Sequence, residues 1–151
     1  KLFGRVFQLS YAEMTDYLEG ELIKHIFRTG SFTKPITLGI LLATAAIVDA
    51  NTGATVTEVT NANAYARQAN NPLDANWTAP TAGNGTTDNA ADITFPQATG
   101  SWGTVTDVGI ADGTTHGAGN LLLYSTLAAS KAVGNGDTFK FAAGAFDVIF
   151  A

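Results

Sequence analysis

His25 and His116 are the side chains best suited to proton transfer or metal binding near neutral pH. They stand apart, with neither an HxH nor an HExxH spacing, so a zinc site would have to gather ligands from distant parts of the chain. Each reads as a solvated or hydrogen-bonded structural histidine. Ser101, Ser125 and Ser130 lack the GxSxG setting of an activated nucleophile. Asp107 and Asp112 approach an acid pair, but five positions apart they fall on opposite faces of a regular strand. Turn capping accounts for Asp112, which precedes Gly113. Asp88 and Asp92, among several Asn residues, offer oxygen ligands without EF-hand spacing and read as solvated loop carboxylates. The glycine-rich stretch from Gly113 to Gly119 is followed by no Lys and no helix start, which argues against a phosphate cradle. Trp77 and Trp102 are surfaces on which a sugar could stack. Trp102 sits in a strand pattern and reads as core packing, whereas Trp77 lies in a loop and is the candidate for surface recognition. These residues point to no enzyme, no cofactor and no metal.

Composition narrows the class further. The chain has 151 residues, enough for one domain with a substantial core plus an arm. It has no cysteine, which excludes disulfide frameworks and thiolate metal sites. Only 14% of residues are charged, and Gly, Ala, Thr and Asn take their place. Such a surface suits a packed assembly. The net charge of −5 is uneven: residues 1–34 carry five basic and four acidic side chains, and the remainder three basic and nine acidic. An acidic body argues against nucleic-acid binding, which needs clustered Lys and Arg. The longest apolar run, Ile36 to Val48, is too short to cross a bilayer, and the first residues lack the apolar stretch of a signal peptide. No membrane partner is expected.

Positioning falls to a β scaffold centred on Ser101 to Tyr124, SWGTVTDVGIADGTTHGAGNLLLY. Trp102, Thr104, Thr106, Val108 and Ile110 alternate with Val105 and Asp107, and the turn residues Asp112-Gly113 and Gly117-Ala118-Gly119 lead into Leu121 to Tyr124. That pattern predicts two strands and a turn. Thr15 to Arg28 predicts an amphipathic helix. Thr15 or Asp16 caps it, Asp16 and Glu19 have capping-box spacing, Leu18, Leu22 and Ile26 form an apolar stripe, and Gly30 closes it. Before it, Phe3, Arg5, Phe7 and Leu9 share one parity of an extended arm. Further strands are expected within Ile36 to Val48 (where a second helix also fits), Ala54 to Val59, Tyr65 to Ala69, Ile93 to Phe95, Thr138 to Ala142 and Phe146 to Phe150, with a short one at Trp77 in the long loop from Asn70 to Asn89. Eight or so short strands at this spacing predict a mainly β sandwich or jelly roll. The chain divides into an extended docking arm (1–14), the amphipathic helix with its linker (15–34) and a β-sandwich domain (35–151).

Two stretches taken together carry a resemblance: MTDYLEGELIKHIFRTGSFTKP from Met14 to Pro35, and FPQATGSWGTVTDVGIADG with GAGNLLLYSTLAASKAVGNGDTFKFAAGAF. They resemble small bacteriophage virion proteins, of the head-decoration (cement) or tail-fibre type, over about Met14 to Phe150. The resemblance implies a jelly-roll-like antiparallel β-sandwich with one amphipathic N-terminal helix and an extended arm. It implies a non-enzymatic capsid cement protein on the outer surface of the phage head, a homotrimer that binds the major capsid protein and stabilises the assembled shell. In that scheme Phe3, Arg5, Phe7 and Leu9 dock on the capsid, and Leu18, Leu22 and Ile26 pack the helix into the trimer or its own sandwich. A tail-fibre or receptor-binding role would instead use Trp77 and its loop on a host glycan. A free carbohydrate-binding module or small hydrolase is the third class.

Overall fold

A computed structural model describes residues 12–80 and 85–150. Within them the chain runs β1 (Glu13–Met14), α1 (Asp16–Phe27), β2 (Gly39–Ala43), β3 (Gln68–Ala69), β4 (Thr86–Asp88), β5 (Ile93–Thr94), β6 (Gly103–Ala111), β7 (Leu121–Val133), β8 (Lys140–Phe141) and β9 (Asp147–Ile149). The fold is mainly β with one helix, and every pairing is antiparallel, as the sequence predicts. One sheet has five strands in the order β1-β7-β6-β2-β3, and two further sheets are the pairs β4-β9 and β5-β8.

The central sheet is covered on both sides. On one face Ile40, Leu42, Val108, Ile110 and Leu123 share a core with Phe95, Phe141, Phe146 and Val148 from around the two small sheets. On the other, Leu41, Ala43, Ala111, Leu121 and Tyr124 lie under Ile47 and Val56 of the segment after β2. This two-sided burial explains why β2 reads GILLA, apolar at every position, where a half-buried strand would alternate. The run forms a strand and no second helix, and it is shorter than expected, with Ile36 and Val48 exposed.

The central pair is the expected hairpin, but its alternation is broken twice. The register shifts between Val105 and Asp107 and again between Ile110 and Ala111. At the first shift β7 advances five residues, from Lys131 to Thr126, against two on β6, and at the second two against one, so strict alternation across the pair is lost at both. Gly103 has a positive φ of 82°, and beyond it Val105 joins Trp102 and Val108 in the core while Thr104 is exposed. Elsewhere turns win over strand propensity. Ala54 to Val59 is turn and bend, tied to β2 by a single bridge between Ala43 and Glu58. Only Gln68–Ala69 of the expected Tyr65 to Ala69 strand is paired, and Trp77 makes one bridge to Asn89.

The helix starts on Thr15, whose buried hydroxyl donates to Leu121 O at 2.5 Å and lies 3.5 Å from the Leu18 N–H. Thr15 N–H donates to Leu122 O and Asp16 N–H to Asp49 O, so the first turn is stitched to β7 and to the segment after β2. Asp16 and Glu19 occupy the positive end of the helix dipole. The exit differs from expectation. Arg28, in extended backbone, is the C-cap, and the Phe32 N–H donates to His25 Nδ1 at 3.2 Å, so Gly30 is not needed as a left-handed cap.

A run of rings threads the core: Trp77 meets Phe146, then Phe141, Phe139 and Phe95 follow, and Tyr65 and Trp102 close it, with centroids 5.0 to 6.5 Å apart. Most contacts are edge-to-face, the arrangement the ring quadrupoles favour.

The loops at one end are held by a buried ion pair. Arg67 is 4% exposed and uses all five guanidinium donors. Nε and Nη2 grip Glu58 at 2.9 and 2.7 Å, Nη2 also reaches Gly53 O, and Nη1 reaches Gly113 O and Ala118 O. Glu58 in turn accepts from the Tyr65 hydroxyl at 2.9 Å and from the Gly117 N–H. The Tyr65 oxygen takes the Leu42 N–H, which ties the network to β2. Burial, with Glu58 beside it, pushes the Tyr65 phenol well above its ordinary range. Gly53 stands against the Ala118 carbonyl, where any side chain would overlap backbone. Removing one partner would leave a desolvated charge, so Arg67→Ala is expected to cost about 3–5 kcal/mol, read by urea unfolding. Replacing both charges by apolar residues of matched shape is expected to cost less than the single change.

Candidate functional site

The residues that could do chemistry are committed to internal structure. His116 Nε2 lies 2.9 Å from Val59 O, and its ring meets the Tyr65 ring edge-on. His25 caps the helix exit through the Phe32 N–H. Asp107, 2% exposed, accepts from the Ile47 N–H and the Thr126 hydroxyl and so fastens the segment after β2 to the sheet. Asp112 takes the Asn120 backbone and side-chain N–H groups at 2.8 and 2.7 Å, the turn cap that its place before Gly113 predicts. Asp92 accepts from Lys140 at 2.7 Å and from the Ala143 N–H, which together hold its carboxyl below the usual range. Asp88 is opposite Asp147 in the β4-β9 ladder, and burial, followed by Asp88, raises the Asp147 carboxyl. Among the described residues no three His, Asp or Glu side chains converge to hold a metal ion, and no helix is long and apolar enough to cross a membrane.

The expected contact residues divide three ways. Phe3, Arg5, Phe7 and Leu9 lie outside the described residues. Leu18 is in the core, Leu22 packs partly against it, and Ile26 is 65% exposed. Trp102 is core, 4% exposed, with its indole N–H on Asn63 O at 2.9 Å. Trp77 is half-buried, donates to Asn70 O and Asn71 O at 3.2 Å and sets its ring against Phe146, so the indole is occupied within its own domain.

The part that projects is the second half of α1. Ile23 and Phe27 are exposed beside Ile26, and Ile36 follows in the exit segment. From Ile23 to Val48 the sequence contains no acid, while Lys24, His25, Arg28 and Lys34 are all exposed. The tip is therefore apolar and basic on a chain that is acidic elsewhere. The opposite chemistry lies near the helix start. A solvent-open groove of about 330 Å³ is lined by Glu13, Met14, Glu19, Asp49, Ile149 and Phe150. At its edge the Tyr124 hydroxyl meets both the Glu13 carboxylate at 2.7 Å and the Asp49 carboxylate. Burial first, then these two acceptors, drive the phenol pKa upward. The groove is acidic with an apolar lip, since Phe150 is half exposed.

Sequence reasoning missed Arg67, Glu58 and the Tyr124 cluster. One signal existed: Arg67 is a lone cation between Lys34 and Lys131, and an isolated Arg in a strand-rich acidic body is a natural centre for a buried pair.

A family model described as Podophage GP4 fiber I protein gp80 matches residues 13–149. The chain belongs to this family. The matched span covers α1 and every strand and coincides closely with the stretch that carries the virion-protein resemblance. As a Gp80-family member the chain is a bacteriophage structural protein. No curated protein matches it significantly.

Because the Trp77 ring packs against Phe146, Trp77→Ala is expected to lower stability by roughly 2 kcal/mol, a half-buried fraction of a full aromatic deletion, measurable by thermal unfolding. Asp147 holds its proton to higher pH in the folded chain than in the unfolded one. Stability therefore falls as pH rises through the interval between the two values. Asp147→Asn is expected to raise stability at neutral pH by about 0.5 kcal/mol and to lose that advantage well below the carboxylate range. An unfolding series across pH reads both outcomes.

Proposed function

We propose that this Gp80-family chain is a non-enzymatic structural subunit of the phage fibre apparatus, acting as a rigid β body that binds other virion proteins through its surface. The observation that carries the reading is the match to a fibre-protein family across residues 13–149. The internal commitments of His25, His116, Asp107, Asp112 and Asp92 support a role by contact over a role by catalysis. The solvent-exposed apolar tip of α1 supports it too, because large exposed apolar side chains in a cluster mark interaction sites.

The competing virion role is capsid cement, with the major capsid protein as partner and a homotrimer seated over shell junctions. That role needs as many copies as the shell has junctions, whereas a fibre needs few. Quantitative mass spectrometry of purified virions, together with electron microscopy of antibody-labelled particles, separates them. A low copy number with label confined to the tail is the expected result. A copy number that tracks the major shell protein, with label over the head, would overturn the fibre assignment in favour of cement.

A further inference from the structure

We infer that two copies of this chain associate head to tail, the helix tip of one seated in the acidic groove of the next. The tip offers Ile23, Ile26 and Phe27, with Lys24 and His25 in the same last turn and Arg28 at the C-cap. The groove offers Glu13, Glu19 and Asp49 around Met14, Ile149 and the half-exposed Phe150. Charge and hydrophobic character are thus complementary between two surfaces of one chain. The groove volume of about 330 Å³ has room for the Phe27 ring.

The tip and the groove flank opposite ends of α1, a helix of 12 residues. Glu19 in the first turn belongs to the groove, while Phe27 in the last turn belongs to the tip. At 1.5 Å per residue their Cα atoms stand roughly 12 Å apart along a rigid rod, so a helix cannot bring its own tip to its own groove. A second copy can. Such an interface is heterologous: each copy uses one surface to give and a different one to receive, so the contact repeats until a ring closes or a filament grows. The basic rim adds attraction that salt screens. The inference concerns chain-to-chain contact alone and holds wherever on the virion the protein sits.

The chain has no cysteine, which permits a direct test in the full protein. Phe27→Cys and Phe150→Cys are made in separate chains, each exposed at the position changed. Under mild oxidation the mixture is expected to give a disulfide-linked heterodimer, while neither variant alone does. Crosslinking of Phe27→Cys with itself would mean a tip-to-tip contact and would overturn the proposal. So would absence of any crosslink in the mixture, the outcome expected if residues 1–11 fill the groove. In sedimentation of otherwise unchanged protein, Phe27→Asp is expected to weaken association about thirtyfold. Arg28→Glu and Glu19→Arg are each expected to weaken it, and the two together to restore it. Wild-type protein that stays monomeric at every concentration, or association indifferent to all of these changes, would refute it.

Discussion

The structure depends on one buried ion pair being complete. Arg67 and Glu58 are nearly inaccessible to water, and each would be costly there if alone. Together they satisfy one another, and the remaining donors go to three carbonyls from two loops, Gly53 after β2 and Gly113 and Ala118 in the β6-β7 turn. The pair therefore acts less as a source of net stability than as a register device, because only one arrangement of those loops leaves no charge or donor unpaired. The Tyr65 hydroxyl extends the same demand to β2 and, through its ring, to the aromatic run across the core. Loops and sheet interior are thus fixed by a single polar centre.

That arrangement clarifies where contact with other molecules can occur. The sheet is covered on both faces, and the polar side chains that might have formed a reaction centre cap turns, bridge strands or fasten a segment to the sheet. Among the described residues, the outward-facing and chemically distinctive surfaces include the distal half of α1 and the acidic hollow beside its start. The helix is anchored at its first turn by Thr15, Asp16 and Leu18, and its other end extends beyond that anchorage. A cluster of exposed apolar side chains at that end is the kind of surface at which contacts form.

Much of this was legible in the sequence, and the failures have physical causes. The helix could be read because Thr15, the 3–4 spacing of Leu18 and Leu22, and the first-turn acids all agreed. The hairpin could be read because Asp112-Gly113 and Gly117 to Gly119 supplied its turn. Val105 was assigned to the wrong face because alternation from Trp102 is broken at Gly103, which takes a positive φ, and again by the register shift after Val105, which no residue type announces. Ala54 to Val59 alternates like a strand, yet it lacks a neighbour along its length and caps the sheet instead. The isolation of Arg67 hinted at a buried pair, but Glu58 as its partner could not be read, since nine positions of irregular chain separate the two and only the tertiary fold brings guanidinium to carboxylate. The exposure of Ile26 and Phe27 could not be foreseen from a stripe that looks equally suited to a core.

The topology also governs how the molecule comes apart. Outside the β6-β7 hairpin, most pairings join segments distant in the sequence: β1 to β7, β4 to β9, β5 to β8. Chains that must close such long separations before gaining contacts cross a high barrier and fold slowly. The same barrier is met from the other side on opening, where interactions formed late in folding must be broken first. For a virion protein, such slow opening makes the lifetime of the folded state a matter of rate, independent of the depth of the equilibrium well.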